Sequence, residues 1–474
     1  MKPYALYIAS AFLFTTISGC AEGVDNPSHP NDQNQNQGNQ GNQNQGNQGN
    51  QGDQNQGNQG DQNQGNQNQG NQGDQNQENK GDQNQENQNA SDESIARARI
   101  AQTVSTEKAF NDIAYSNGFP VITSENSVIF MHWHDGGSWA VAGGLNNWTP
   151  QPMTQRGDIW YAELPIPNGL TDLGYKFVNT ANDQQTYVAD PWALRYTHDE
   201  NGELSYISAP PTPHIMRWNN FNSPQKLATR AIRAYVPNSP PPYDVIYAHD
   251  GQNLFGDSTA TWDLPTALAS ISANILVVGI DNSTDRFAEY THVDDTIEFA
   301  GQTLHVTANG DNYAAFVETT VRPFIESKFQ TTAKAGLMGS SLGGLISLYI
   351  AHLYPNRYKA VLALSPTTAW GDFSAHTPTI ASLYKAAGHR STTIYVDSGG
   401  SAGSGCKNSP ADAIEDENSR DNYCYTKAFA DTLHTIGYEY DRDLFHWHEP
   451  GAQHDEAAWA SRVSRPLKIF SEIK

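Results

Sequence analysis

Apolar and polar positions change their rhythm several times along this chain. Tyr4 to Ile17 is a hydrophobic stretch, and from about Asn31 to Asn89 apolar residues all but vanish into loose repeats of Asn, Gln, Gly and Asp. A segment of that kind buries too little apolar surface to offset the entropy of ordering, which predicts disorder. A short amphipathic helix is predicted from about Asp92 to Ala109. Extended runs follow at Ser127–Met131, Trp139–Gly143, Ile159–Leu164 and Gly174–Val178, with a turn at Leu145–Trp148. Short strands at regular spacing predict a small β-sandwich. Pro210-Pro211-Thr212-Pro213 reads as a stiff linker. Beyond it, strands at Ile232–Val236, Asp244–Ala248, Ile275–Gly279, Ala360–Leu364 and Thr392–Val396 alternate with helical patterns such as Asp311–Phe324. That alternation predicts a mostly parallel sheet wrapped by helices, an α/β fold.

Charge and cysteine usage narrow the picture. The 474 residues carry a formal net charge of −23 with no basic stripe, which argues against nucleic acid as a partner. The hydrophobic stretch Tyr4–Ile17 is too short to span a membrane and reads as part of a signal peptide. Ile17-Ser18-Gly19-Cys20 resembles the lipobox of bacterial lipoproteins. That resemblance implies cleavage before Cys20 and lipidation of its thiol, and so a membrane partner through a lipid anchor. No aspartate follows Cys20 directly, so in a Gram-negative cell the outer membrane is expected, facing periplasm or exterior. The alternative is an ordinary secretory signal. The polar repeat reads as a tether of about sixty residues that holds the folded part off a membrane, spanning roughly 40–45 Å on average. Of three cysteines, Cys406 and Cys424 remain, and export makes a disulfide between them the expectation, with two free thiols as the alternative.

The stretch Gly339-Ser340-Ser341-Leu342-Gly343 lies between an extended run, Lys334–Met338, and a helical pattern, Leu345–Ala351. Strand, G-x-S-x-G, helix is the context of a nucleophile elbow. The turn is so sharp that side chains two before and two after the serine would collide, which requires glycine at both places. Ser341 is thereby the candidate nucleophile, and the amide of Leu342 faces a developing oxyanion. A serine hydroxyl needs a base within hydrogen-bond reach and a carboxylate to orient that base. In this fold the order along the chain is Ser, then Asp or Glu, then His. His454 is the candidate base, in a turn between a strand Asp443–Trp447 and a helix Ala457–Val463. His446 and His448 compete with it. They and the pair His132 and His134 read as structural. For the acid, Asp397 ends a strand, and Asp421 opens a helical run where aspartate is also a good N-cap. The second oxyanion donor is expected in the loop Asp250–Asn253, from the amide of Gln252.

Two resemblances add to these readings. Val141-Ala142-Gly143-Gly144-Leu145-Asn146-Asn147-Trp148, with Trp160, Tyr175-Lys176-Phe177 and Asp190-Pro191, resembles the early-set immunoglobulin-like domain of glycogen-binding modules. It implies sugar contacts at Trp148 and Lys176, completed by Tyr187. The alternative is that Trp148 packs a turn and Lys176 is a solvated strand residue. Ala248-His249-Asp250-Gly251-Gln252-Asn253-Leu254-Phe255, Arg286-Phe287-Ala288-Glu289-Tyr290, the elbow, and Gly451-Ala452-Gln453-His454-Asp455-Glu456-Ala457-Ala458-Trp459 resemble the esterase D family. That family includes feruloyl, acetylxylan and enterochelin esterases. The resemblance implies an α/β-hydrolase fold, hydrolysis of carboxylic esters, and an acid just beyond a glycine-rich turn. Asp421 fits that place, although residues 401–420 are inserted between Gly399-Gly400 and it.

These readings divide the chain into a signal peptide (1–19), a tether (20–91), a helical lead-in (92–120), a sandwich (121–209) and an α/β-hydrolase domain (210–474). The expected activity is an exported serine esterase with no cofactor and no metal. Its expected substrate is a feruloyl or acetyl ester, because a sugar-type module precedes the hydrolase. The alternatives are a siderophore esterase, and a tethered carbohydrate-binding protein whose hydrolase domain is silent.

Overall fold

The computed structural model describes residues 92–101, 110, 113 and 118–474, apart from 135, 172, 182–183, 257–259, 272, 300–301, 375, 401–420 and 422. The signal peptide, Cys20, the tether, Cys406 and the insertion 401–420 lie outside the described residues. Residues 92–101 are helical.

The N-terminal strands are β1 (Val121–Ile122), β2 (Ser127–Trp133), β3 (Trp139–Gly143), β4 (Gln151–Pro152), β5 (Thr154–Arg156), β6 (Ile159–Pro165), β7 (Gly174–Asn179), β8 (Thr186–Val188), β9 (Arg195–Asp199) and β10 (Gly202–Tyr206). One antiparallel layer runs β1-β2-β6-β5, and β3, β7 and β10 belong to a second. Alternation along the strands builds the core between them: Val128 and Phe130 of β2 meet Val141 of β3 and Tyr175 and Phe177 of β7.

The later strands are β11 (His214–Phe221), β12 (Arg230–Val236), β13 (Tyr243–His249), β14 (Ile275–Ile280), β15 (Asp295–Phe299), β16 (Gln302–Val306), β17 (Thr331–Ser340), β18 (Ala360–Leu364), β19 (Thr393–Ser398) and β20 (Leu444–His448). The main sheet has the order β11-β12-β14-β13-β17-β18-β19-β20. From β14 to β20 the neighbours are parallel, and β11-β12 and β12-β14 are antiparallel. This is the strand order of an α/β hydrolase. Strands buried on both faces read as continuous apolar runs, and each contributes alternately to the two sides. Val361 and Ala363 of β18 face the core under the helix Leu342–Leu353, while Leu362 and Leu364 pack with Leu467 and Phe470 of the C-terminal helix.

The sheet does not stop at the proline linker. β9 pairs with β11 through Ile215↔Tyr196 and Met216↔Arg195, so the second N-terminal layer continues into the hydrolase sheet. Arg217 on β11 grips Glu203 on β10 through both terminal nitrogens, at 3.1 and 2.9 Å. Sequence reading missed β9 to β11 because their charged residues, which pair across strands, break the apolar alternation. The helix expected over Asp311–Phe324 runs as Gly310–Phe316, a π-helical turn Val317–Val321, and Arg322–Lys328. Pro323 has no amide to donate one turn back, and the widened turn precedes it.

Candidate active site

Ser341 sits between the end of β17 and the helix Leu342–Leu353, with φ 54° and ψ −122°. A non-glycine residue held there stores about 1–3 kcal/mol of strain. The glycines explain why it is tolerated. A Cβ on Gly339 would lie 2.5 Å from the carbonyl carbon and oxygen of Gly343, and one on Gly343 would lie 3.2 Å from Asp250 Oδ2. The amide of Leu342 is one of the first of its helix, which have no carbonyl a turn back to bond. Ser341 is buried, and its Oγ is 3.4 Å from Thr367 Oγ1.

His454 lies in the turn after β20, and its Nδ1 is 2.5 Å from Asp421 Oδ1. Its Nε2 is buried and has no hydrogen-bond partner among the described residues. The ring packs edge-on against Trp459, with centroids 5.1 Å apart. Two glycine turns hold this loop: Gly400 N donates to Ala452 O and Gly451 N donates to Gly400 O, both at 3.0 Å. A Cβ on Gly399 would collide with the Ala452 carbonyl, so the close approach requires glycine. Asp455 then caps the helix Glu456–Arg462, accepting from Ala458 N at 2.9 Å.

Asp421 is buried, and its second oxygen, Oδ2, accepts from Ser365 Oγ at 2.6 Å and from Gly399 N. Burial pushes its carboxyl up, but the His454 imidazole, Ser365 and Arg462 outweigh burial and hold it below the ordinary value. Asp397, the competing acid, does not reach His454 by any hydrogen bond. It accepts from Arg462 Nε at 3.0 Å, Arg462 Nη2 at 3.2 Å, Tyr395 Oη at 2.8 Å and Ser365 N at 3.0 Å. Burial raises its carboxyl above the ordinary value.

Gln252 falls in the turn Gly251–Asn253 that follows β13, beside the elbow. Its side-chain oxygen accepts from Asn282 N at 3.1 Å. The turn is anchored by Asp250, whose carboxylate accepts from Arg286 Nε and Nη2 at 2.7 and 2.8 Å and from Asn282 Nδ2 at 2.7 Å. Asn253 Nδ2 reaches Glu456 Oε1 at 3.2 Å, which ties this turn to the helix after His454.

Residues 226–468 match the model of the Esterase family, described as "Putative esterase". The chain belongs to this family. Among curated proteins it is similar to the ferri-bacillibactin esterase BesA of Bacillus subtilis, 28% identical over 151 residues, covering 28% of this chain and 52% of that one. The chain thus spans about half the length of the curated relative it matches. Among solved structures it is similar to an IroE-like serine hydrolase from Shewanella oneidensis, with 20% identity, 54% and 80% coverage of this chain and that one, and a TM-score of 0.42. It is also similar to the enterochelin esterase of Shigella flexneri, with 16% identity, 73% and 92% coverage, and a TM-score of 0.41.

The remaining expected residues fall into place or out of it. Trp148 and Tyr187 are exposed. Lys176 is not a surface contact: it is buried, and its Nζ donates to Asn201 O at 2.9 Å. That corrects the expectation of a sugar-binding ammonium there. Cys424 is disulfide-bonded; Cys406, its expected partner, lies outside the described residues. His446 packs near Tyr423, and His448 Nε2 lies 3.0 Å from Gly400 O. His132 is buried against Trp139 and Phe177. Sequence reasoning gave no role to Ser365, Thr367, Trp459 or Arg462. Arg462 had no local signal, because its partners Asp397 and Ser365 come from other strands far earlier in the chain.

Proposed function

We propose that the chain is a serine carboxylic-ester hydrolase acting on a siderophore ester. One observation carries the esterase reading: a His454 imidazole bonded to buried Asp421 on one nitrogen and unpartnered on the other, in a chain that also holds Ser341 strained at a glycine-flanked elbow. The protein's chemistry follows from these groups. Asp421 holds the Nδ1–H tautomer, so Nε2 is the nitrogen that accepts a proton. Ser341 rotates from Thr367 toward His454 and attacks the ester carbonyl as Nε2 takes its proton. The tetrahedral oxyanion is met by the Leu342 amide and by an amide of the Gln252 turn. His454 returns the proton to the leaving alcohol. Water then enters by the same route and releases the acid.

The curated relative named for ferri-bacillibactin supports the siderophore class. The alternative substrate, a feruloyl or acetyl ester on polysaccharide, rests on an early-set sugar module in front of the hydrolase. It is weakened by the burial of Lys176, and exposed Trp148 and Tyr187 are what remain of that surface. Export and anchoring through Cys20 belong to the same proposal, with the polar tether holding the enzyme off a membrane. An ester panel tests the substrate: a catecholate trilactone, methyl ferulate, acetylated xylan and p-nitrophenyl acetate. The trilactone is expected to show the highest kcat/KM. Preference for acetylated xylan or methyl ferulate returns the reading to plant-type esters. No turnover of any of the four leaves a binding protein.

A further inference from the structure

Arg462 stands between two buried carboxylates. It makes two hydrogen bonds to Asp397, and its Nη2 is 3.6 Å from Asp421 Oδ2. The same nitrogen donates to Ser365 Oγ at 2.7 Å, and Ser365 Oγ donates to Asp421 Oδ2 at 2.6 Å. Trp459 Nε1, whose ring also packs on His454, donates to Ser365 Oγ at 3.2 Å. Ser365 has φ 43°, a left-handed backbone that aims its amide at Asp397 and its hydroxyl at Asp421. Ser365 Oγ thus joins Arg462, Trp459 and Asp421.

We infer that Asp397 and Arg462 form a neutral buried pair that positions Asp421 through Ser365 while leaving the charge of Asp421 to His454. This rests on the triad reading above. A guanidinium near a buried carboxylate competes with the imidazolium that forms on His454, because both draw on one negative charge. Asp397 cancels that competition, since its carboxylate is the nearer partner of Arg462. Two carboxylates with no cation between them would instead repel, and one would hold a proton. The other ionisable groups facing this cluster are Tyr395 on β19 and Arg465 beyond Arg462, whereas Glu456 on the helix of Arg462 points elsewhere. Tyr395 is bonded to Asp397, and Glu456 faces the Asp250 turn. Asp397 and Arg462 are positioning residues and touch no substrate.

The test is a charge cycle read by pH profiles of kcat/KM for p-nitrophenyl acetate. Asp397→Asn leaves Arg462 uncompensated, and the acid limb should move down by about one unit, with kcat reduced about tenfold. Arg462→Met should move the limb the other way. The double variant removes both charges and should bring the limb back to the wild-type position, with the low-field Nδ1 proton resonance of His454 retained. If Arg462→Met does not fold, Asp397→Asn and the double variant still decide. Unmoved acid limbs in both single variants would overturn the inference, as would a double variant displaced further than either. Asp421→Asn separates this from the parent reading. An active Asp421→Asn removes the triad itself. An inactive Asp421→Asn with unmoved limbs in the other variants removes only the role of the pair.

Discussion

Asp421→Asn isolates what one oxygen does for this site. In the wild type both oxygens are committed: Oδ1 to His454 Nδ1, and Oδ2 to Ser365 Oγ and Gly399 N. An asparagine offers one oxygen and one NH2. Two donors converge on the Oδ2 position, so the amide oxygen belongs there and the NH2 faces His454. Nδ1 must then accept, which moves the ring proton to Nε2, the nitrogen that has to receive the Ser341 proton. The base is lost by tautomer while the packing is unchanged. A wrong tautomer costs about 10⁴-fold in kcat in the serine-protease precedent, or about 5 kcal/mol of barrier. Steady-state hydrolysis of p-nitrophenyl acetate measures the loss, and far-UV circular dichroism checks the fold. A variant retaining a tenth or more of wild-type kcat would refute the reasoning, and activity lost in Asp397→Asn instead would transfer the acid role to Asp397.

Other predictions concern the elbow, the acid limit, the disulfide and the tether. Ser341→Ala should abolish ester hydrolysis and fold normally, whereas Ser340→Ala should keep most activity; the reverse result would put the elbow out of register. Gly339→Ala, whose Cβ would lie 2.5 Å from the Gly343 carbonyl, should lower the thermal midpoint by an amount equivalent to roughly 3 kcal/mol or more, while Gly136→Ala, with nothing within 4 Å, should be silent. For Asp250, burial pushes the carboxyl up, but Arg286 and Asn282 more than reverse it, so the folded value lies below the ordinary 3.8. The unfolded chain therefore takes up a proton first as pH falls, and this contribution is complete above about pH 4 and lost below it; Asp250→Asn should flatten the acid fall of the thermal midpoint. Mild reduction of the Cys424 disulfide should slow hydrolysis several-fold with little change in far-UV circular dichroism, because the bond lies three residues after Asp421. Cys20→Ser should move the protein from membrane to soluble fractions, and retention in the membrane fraction would end the anchoring proposal.

What was legible in the sequence was what local pattern encodes. β13, β14, β17, β18 and β19 are buried on both faces, so they read as apolar runs ending within a residue or two of their observed limits, apart from β17, whose partly exposed first three residues Thr331–Ala333 gave no signal. The elbow was legible because its steric demand falls on glycines at fixed spacing. His454 was legible because the base of this fold follows the nucleophile and comes late in the chain. Asp421 was harder. Its partners Ser365, Gly399 and His454 are distant in sequence, and next to a helix start it looks like a cap. Lys176 misled for a related reason: alternation gives a strand residue its face but not its cover. It shares an outer face with Ala140, Ala142 and Val178, all buried, and its ammonium turns to the Asn201 carbonyl of the β9–β10 turn.

Arg462 shows why a second tier around a catalytic acid stays silent in sequence even when each residue is visible. On a helix, an arginine flanked by Ser461 and Val463 reads as an ordinary solvated position. Its burial is set by Asp397 from β19, 65 residues earlier, and by Ser365 from the end of β18, 97 residues earlier. Neither partner has a pattern of its own, because an aspartate ending a strand and a serine opening a loop are common. Only the parallel order β18-β19-β20 brings the three C-terminal ends side by side, and only the helix after His454 then lays Arg462 across them. A buried charge of this kind is costly unless fully paired. Here the pairing is complete, and the residue it serves is the one that orients His454. Stability alone would be met as well by apolar side chains of the same volume. Two extra buried charges next to a catalytic carboxylate are therefore better explained by the need to fix the position and charge of that carboxylate than by the fold.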